Sequence, residues 1–223
     1  MNLIRCTYDQ HASQILDVFN EAIVNSTALF DYEARSPESM VAWFQAKEKG
    51  HFPVIGVEGA DGQLLGFASY GTFRAWPAYK YSVEHSVYVH KDHRGQGIGR
   101  TLMQALIAAA QTQNYHLLIA GIESTNAGSI ALHEAMGFVH AGTISQAGFK
   151  FGRWLDLSFY QLVLPTPAAP IKGLKGQKAH LPHKPCLACG RPMSWRKRWA
   201  RTWDEVKYCS EACRKMRPVR GRP

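Results

Sequence analysis

Long apolar runs are the first thing missing. No window of the 223-residue chain reaches the roughly 18 uncharged apolar residues of a membrane span. The opening MNLIRCTYDQH has no apolar core of signal-peptide type. The expectation is a cytoplasmic protein with no membrane partner. Cysteine is nearly absent from residues 1–164, where Cys6 stands alone, so no disulfide framework staples that region. No internal repeat is evident. Two nucleotide signatures are also absent. The segment RGQGIGR has Arg100 where both G-x-x-x-x-G-K-[ST] and G-x-G-x-x-G require glycine. Finally, acidic residues are scarce at one end. Residues 165–223 hold 15 Lys/Arg against 3 Asp/Glu, whereas residues 1–164 hold 11 against 14. An overall charge of +9 therefore hides a mildly acidic unit joined to a strongly basic one.

What is present divides the same way. Residues 2–8 suggest a short strand. In 12–25, Ile15, Leu16, Phe19, Ala22 and Ile23 fall on one helical face. The stretch RSPESMVAWFQAKEKG predicts a helix with Ser36 as N-cap, Pro37 in the first turn and Gly50 as the stop. Residues 53–58 and 64–70 suggest a hairpin through GADGQ. A strand at 81–90, a helix at 98–113, a buried strand HLLIAGIE, a short helix from Asn126 to Gly137 and strands at 138–149 and 154–164 complete an α/β domain. The segment at 165–184 is rich in proline and lysine and reads as an extended linker.

Three glycines, Gly95, Gly97 and Gly99, lie between Arg94 and Arg100 at the start of the helix expected at 98–113. Successive amides at such a helix start form an anion nest, and the helix dipole adds to it. A plain glycine-rich turn would look the same in isolation. The wider stretch VEHSVYVHKDHRGQGIGRTLMQALI resembles the cofactor motif of the GNAT superfamily of N-acetyltransferases, Q/R-x-x-G-x-G/A, met here by Arg94, Gly97 and Gly99. ESTNAGSIALHEAMGF is similar to the superfamily's second cofactor segment. SVEHSVYV and GFKFGRWLDLSFYQL are similar to its phosphinothricin and methionine sulfone/sulfoximine acetyltransferase branch.

That resemblance spans residues 1–164 and implies an α/β (α+β) fold, with a mixed, mostly antiparallel central sheet and flanking helices. It implies acetyl-CoA as co-substrate and a small amino-acid-like amine as acceptor. The pyrophosphate would rest on the loop of Arg94, Gly95, Gln96, Gly97, Ile98, Gly99 and Arg100. The pantetheine arm would rest on the amides of Val87, Tyr88 and Val89, provided their strand splays from the next. Asn126 and Ser129 would touch the cofactor, although an N-cap role explains Asn126 equally well. An acceptor ammonium must lose a proton before attack. Glu84, the sole acidic residue between Asp61 and Asp92, matches the branch's catalytic base. His133 stands near the tyrosine with which many members protonate the leaving thiolate, unless it is a satisfied helix histidine. Phe73, Arg74 and Ala75 match the branch's substrate loop, and Lys150 is a further candidate there. His85 points away from Glu84 in a regular strand, but a bulge would aim it at the substrate. A homodimer is a possible assembly.

The basic end, residues 185–223, places Cys186, Cys189, Cys209 and Cys213 in a C-x2-C-x19-C-x3-C pattern. Four thiolates so spaced fit a structural, tetrahedral Zn²⁺ in a small zinc-ribbon or treble-clef-like module. The segment also resembles a small uncharacterised bacterial family with four cysteines. Trp195, Trp199 and Trp203 recur every four residues among arginines and lysines. That spacing suits a helical core stripe, or basic–aromatic interleaving for RNA or a nucleoprotein. Hence a second functional reading arises: a protein or peptide N-acetyltransferase directed to a ribosome or nucleoprotein by its tail.

Overall fold

The computed structural model describes residues 1–170 and 182–216. They divide into two compact units, 1–169 and 170 onward. The first unit runs β1 (Asn2–Arg5), α1 (Tyr8–Asn25), α2 (Ser39–Lys49), β2 (Val54–Glu58), β3 (Leu64–Thr72), β4 (Ser82–Val89), α3 (Ile98–Thr112), β5 (Leu117–Glu123), α4 (Ala127–Ala135), β6 (Val139–Lys150) and β7 (Arg153–Val163). Its strands form one seven-stranded sheet in the order β1-β2-β3-β4-β5-β7-β6, antiparallel except between β4 and β5.

The apolar pattern decides which helix covers which face. On α1, Ile15, Leu16, Val18 and Phe19 are buried against Met40 of α2 and Val54, Leu64 and Phe67 of the sheet. On α3, Ile98, Leu102, Met103 and Leu106 are buried on the opposite face against Ala68, Tyr70, Val83 and Leu118. Each such side chain contributes about 1.5–3 kcal/mol of transfer free energy. A bulge between Val57 and Glu58 opposite β3 shifts the register there. From that point Phe67 faces α1, whereas Ala68 and Tyr70 face α3.

One feature of the sheet creates the site. β4 and β5 pair only from Ser82↔Leu117 to Glu84↔Ile119. Beyond that, β4 stays with β3 as far as Val89, and β5 stays with β7 as far as Glu123. The two strands therefore part just after Glu84.

Two expectations need correction here, the start of α2 and the bounds of the linker. α2 opens at Ser39, not at Ser36, because the Ser36 carbonyl accepts from the Ser39 amide (3.1 Å) in a preceding turn. Gly50 closes α2 as expected; its own backbone is helical, and the left-handed residue is His51 (φ 54°). Gly50 is instead required because a Cβ there would come within 2.2 Å of the Phe52 ring. The expected linker is also shorter at both ends. Thr166 donates to the Tyr115 carbonyl and accepts from His116, which fixes the chain to the first unit. At the other end β8 (His183–Pro185) already belongs to the second unit. Residues 171–181 of that stretch lie outside the described residues.

In the second unit β8 pairs with β9 (Pro192–Ser194), and α5 (Glu211–Lys215) follows. Its small core is Cys186, Met193 and Cys213.

Candidate active site

The parting of β4 and β5 opens a cavity of about 550 Å³. Its walls include β4 from His85 to Val89, β5 from Ala120 to Glu123, and Asn126, Ser129 and His133 of the α4 region. A second cavity of about 300 Å³ lies on the α1/α2 face, between Arg35, Trp43, Lys47, Phe67 and Glu84. Ser86 and Tyr88 line both.

Backbone alternation settles which β4 amides are free. His90 donates its amide to the Leu65 carbonyl (2.9 Å), so Leu65↔His90 is a hydrogen-bonded pair. With the regular register between β3 and β4, Tyr88 and Phe67 form the next such pair. The Tyr88 amide thus faces β3, which corrects its expected place among the pantetheine donors. The amides of Val87 and Val89 face the cavity.

The glycine loop adjoins the larger cavity through Arg94. Gly95 (φ 77°) and Gly97 (φ 81°) hold left-handed backbone, and Gly97 is the N-cap of α3 with no side-chain cap bond. The first amides of a 15-residue helix are thereby left for a ligand. Gly99 has a different reason: a Cβ there would sit 3.1 Å from Leu132, so it lets α4 approach α3. Ile98 is buried in the core, and Arg100 is exposed. Arg94 lines the large cavity and pairs with Glu21 of α1 at 2.5 Å. Asn126 caps α4, its side chain accepting from the Ser129 amide at 3.1 Å, and both residues line the same cavity.

Glu84 projects onto the α2 face. Its Oε1 lies 3.3 Å from where a Cβ would stand on Gly121, so the glycine in β5 makes room for the carboxylate. Burial raises the Glu84 pKa, and the charge of Arg74 opposes this. Arg74 itself is exposed, its guanidinium over the Phe73 ring (4.8 Å to the centroid). Phe73 also meets Tyr79 edge-on, and Ala75 is exposed beside them.

Three expected roles do not fit the geometry. β4 carries no bulge in its pairing with β3, so His85 stays on the α3 face, away from the smaller cavity. There its Nε2 meets His133 Nε2 at 3.0 Å. His133 Nδ1 lies 2.7 Å from the Ser129 carbonyl and must donate to it. His133 Nε2 then accepts from His85. Burial drives both rings toward neutrality, His85 down to about 3 with the His133 ring adding and the Ile119 carbonyl partly opposing. A neutral His133 with both nitrogens engaged has no proton to give a thiolate. Lys150 is likewise committed. It is buried, and its ammonium donates to the carbonyls of Ile23 (2.6 Å), Ser26 (2.9 Å) and Leu29 (2.7 Å). No hydrogen remains for a substrate.

Sequence reasoning missed Glu123. It is buried at the end of β5, where its carboxylate accepts from Thr125 (2.6 Å) and Thr27 (3.1 Å) and lies 3.6 Å from Arg153. Burial alone would raise its pKa, but these partners hold it below the usual value. It ties the loop after α1 to the wall of the large cavity. A lone acid ending an apolar strand was the available signal.

In the second unit the four cysteine sulfurs lie within 4.8 Å of one another. Cys189–Cys209 is 3.7 Å and Cys209–Cys213 is 3.5 Å. The Cys209 amide donates to Cys186 Sγ at 3.3 Å, and Gly190 (φ 69°) makes the left-handed turn after Cys189. Ser210 caps α5 through the Cys213 amide. The tryptophans form no helical stripe: Lys197–Trp199 and Trp203–Glu205 are separate single turns. Trp199 and Trp203 stack at 5.8 Å, while Arg196 and Arg198 lie over Trp199 and Lys184 over Trp203. Those indole faces are already engaged by the chain's own cations, which gives the RNA expectation no support.

A sheet parted beside a half-buried carboxylate, with Arg94 of the glycine loop lining the gap, suits an acyl-transfer enzyme. The chain belongs to the Acetyltransferase (GNAT) family, which matches residues 19–138. Residues 177–216 match an uncharacterized protein family conserved in bacteria, DUF2256. An L-methionine sulfoximine/L-methionine sulfone acetyltransferase of Pseudomonas paraeruginosa is 46% identical over 157 residues, 70% of this chain and 91% of that one. The crystal structure of a phosphinothricin acetyltransferase from Sinorhizobium meliloti in complex with AcCoA is 30% identical with a TM-score of 0.73, covering 78% of this chain and 95% of that one. A ribosomal-protein-alanine N-acetyltransferase from Brucella melitensis is 42% identical with a TM-score of 0.71, covering 74% and 100%.

Proposed function

We propose that the chain transfers the acetyl group of acetyl-CoA to the amine of a small amino acid of the methionine sulfone, methionine sulfoximine or phosphinothricin type. The observation that carries this reading is the meeting of two cavities at β4. One, of about 550 Å³, would take the pantetheine arm. The other is small and holds Glu84. The names of the relatives point to the same substrates.

The roles follow from placement. The amides opening α3 and the Gly95–Gly97 turn hold the pyrophosphate, with Arg94 beside them. Asn126 and Ser129 border the arm. The Val87 and Val89 amides receive the arm, and the Val87 amide is the nearer to Glu84 along the strand. There it stabilises charge developing on the thioester oxygen. Glu84, as carboxylate, accepts a proton from the acceptor's ammonium, directly or through one water. The free amine attacks the thioester carbon. A C–N bond forms, the C–S bond breaks and the thiolate departs. A simple thiol ionises near pKa ~8.5, so it can leave without a dedicated acid. The amide nitrogen gives its surplus proton to the thiolate or solvent.

The same reading assigns one Zn²⁺ to Cys186, Cys189, Cys209 and Cys213. A tetrahedral ion with Zn–S near 2.3 Å needs sulfurs about 3.8 Å apart; the Cys189–Cys209 and Cys209–Cys213 separations lie near this, and the cluster as a whole spans no more than 4.8 Å. The ion would fold a unit whose apolar core is too small to hold alone. Acylation of a ribosomal protein is the second reading, prompted by the Brucella relative's name. A cavity of about 300 Å³ suits a free amino acid better than a polypeptide end. A thiol-release screen with acetyl-CoA decides. Turnover of L-methionine sulfone or phosphinothricin supports the first reading, and turnover of peptides alone supports the second.

A further inference from the structure

The acceptor cavity contains a charge that the reaction as described does not use. Lys47 reaches in from α2, and its ammonium donates to the buried Tyr70 carbonyl at 2.9 Å. It lies over the Trp43 ring, 5.2 Å from the centroid. Among the described residues no carboxylate comes within the 4.0 Å of an ion pair. Desolvation lowers its pKa to about 8. An ammonium held in a cavity without a counter-ion carries an electrostatic cost that an incoming anion would relieve. Two of its three hydrogens are unassigned to any protein acceptor.

Its position relative to Glu84 is informative. Gly71 of β3 is paired directly with Glu84 of β4, so the two residues present the same face. A Cβ on Gly71 would lie 3.7 Å from Lys47 Nζ. Thus a carboxylate and an ammonium flank one patch of cavity floor without pairing with each other. A free amino acid at neutral pH is a zwitterion with adjacent charges of the opposite order. The other cation lining this cavity, Arg35, is already bound to Asp31 at 2.8 Å.

We propose that Lys47 binds the α-carboxylate of the acceptor and selects amines that carry a neighbouring carboxylate. The inference rests on the amino-acid reading above. The same contact would discriminate against polypeptide N-termini, whose first residue has no free carboxylate.

The test is steady-state kinetics of the full chain with L-methionine sulfone and with its α-carboxamide. The wild type should show a lower KM for the acid. Lys47→Met, which keeps the length and apolar contacts, should raise KM for the acid at least roughly 30-fold. It should change kcat much less and collapse the preference for acid over amide. Lys47→Arg should restore part of that preference. Lys47→Gln serves as a second neutral replacement, and a thermal melt checks folding of each. An unchanged KM for the acid, or equal losses on acid and amide, would overturn the proposal while leaving the amino-acid reading intact. Absence of wild-type turnover on the acid would overturn both.

Discussion

As the proposed base, Glu84 would act only while ionised; burial raises its pKa and the charge of Arg74 opposes this. Activity should therefore fall as pH drops through a value above the ordinary carboxylate range, because protonation removes the acceptor for the ammonium's proton. Glu84→Gln should lose about 10²–10⁴ in kcat at neutral pH. The deficit should shrink as pH approaches the pKa of the acceptor amine, where the free amine no longer needs a base. A pH–rate profile of both proteins measures this, and a deficit constant with pH would assign Glu84 a positioning role. Other residues carried less of their role in the sequence. Lys150 was legible only as a basic residue near the end of a strand. Its partners are three carbonyls near the end of α1, more than 120 positions earlier. Nothing local to Lys47 in the sequence shows that its end reaches the Tyr70 carbonyl of β3.

At the scale of elements, the start of α3 is where the proposed cofactor would meet backbone. Gly97 holds φ 81° with open space around its Cβ position. Gly97→Ala therefore brings no clash, only strain at a left-handed position and a methyl group beside the helix-start amides. Such strain is on the order of 1–2 kcal/mol. Calorimetry should find acetyl-CoA bound at least roughly tenfold more weakly, about 1.4 kcal/mol. Affinity unchanged in a folded variant would remove the loop from the cofactor site. The elements themselves were largely legible. Period-two and helical patterns placed the seven strands and four helices of the first unit close to where they lie. Alternation in SVEHSVYV already separated Glu84 from His85, and the regular β4 confirms that separation. The fault lay in expecting a bulge to override it. Helix starts were less legible: the Ser36-Pro37 signal is real, but the chain spends it on a turn before α2. The four-residue tryptophan spacing misled for a related reason. Periodicity implies a helix only where the intervening residues can continue one, and here two short turns interrupt it.

At the scale of the whole molecule, charge asymmetry and cysteine placement divided the chain in two, and the structure divides it near the same point. The zinc proposal belongs to the second unit. Metal analysis should find one Zn²⁺ per full chain and none in a chain ending at residue 164, since every clustered cysteine lies beyond that point. Zinc retained by the shorter chain would place the site elsewhere.

Among the described residues, both cavities are lined by residues up to Phe151. The matched region by itself covers 91% of a complete relative. The first unit should therefore fold and work alone. The most direct measurement is kcat/KM for acetylation of L-methionine sulfone by the full chain and by residues 1–169. The account predicts turnover by both, within about threefold of each other, a difference under ~0.7 kcal/mol. Turnover by neither, or turnover lost on removing the second unit from a folded first unit, would contradict it.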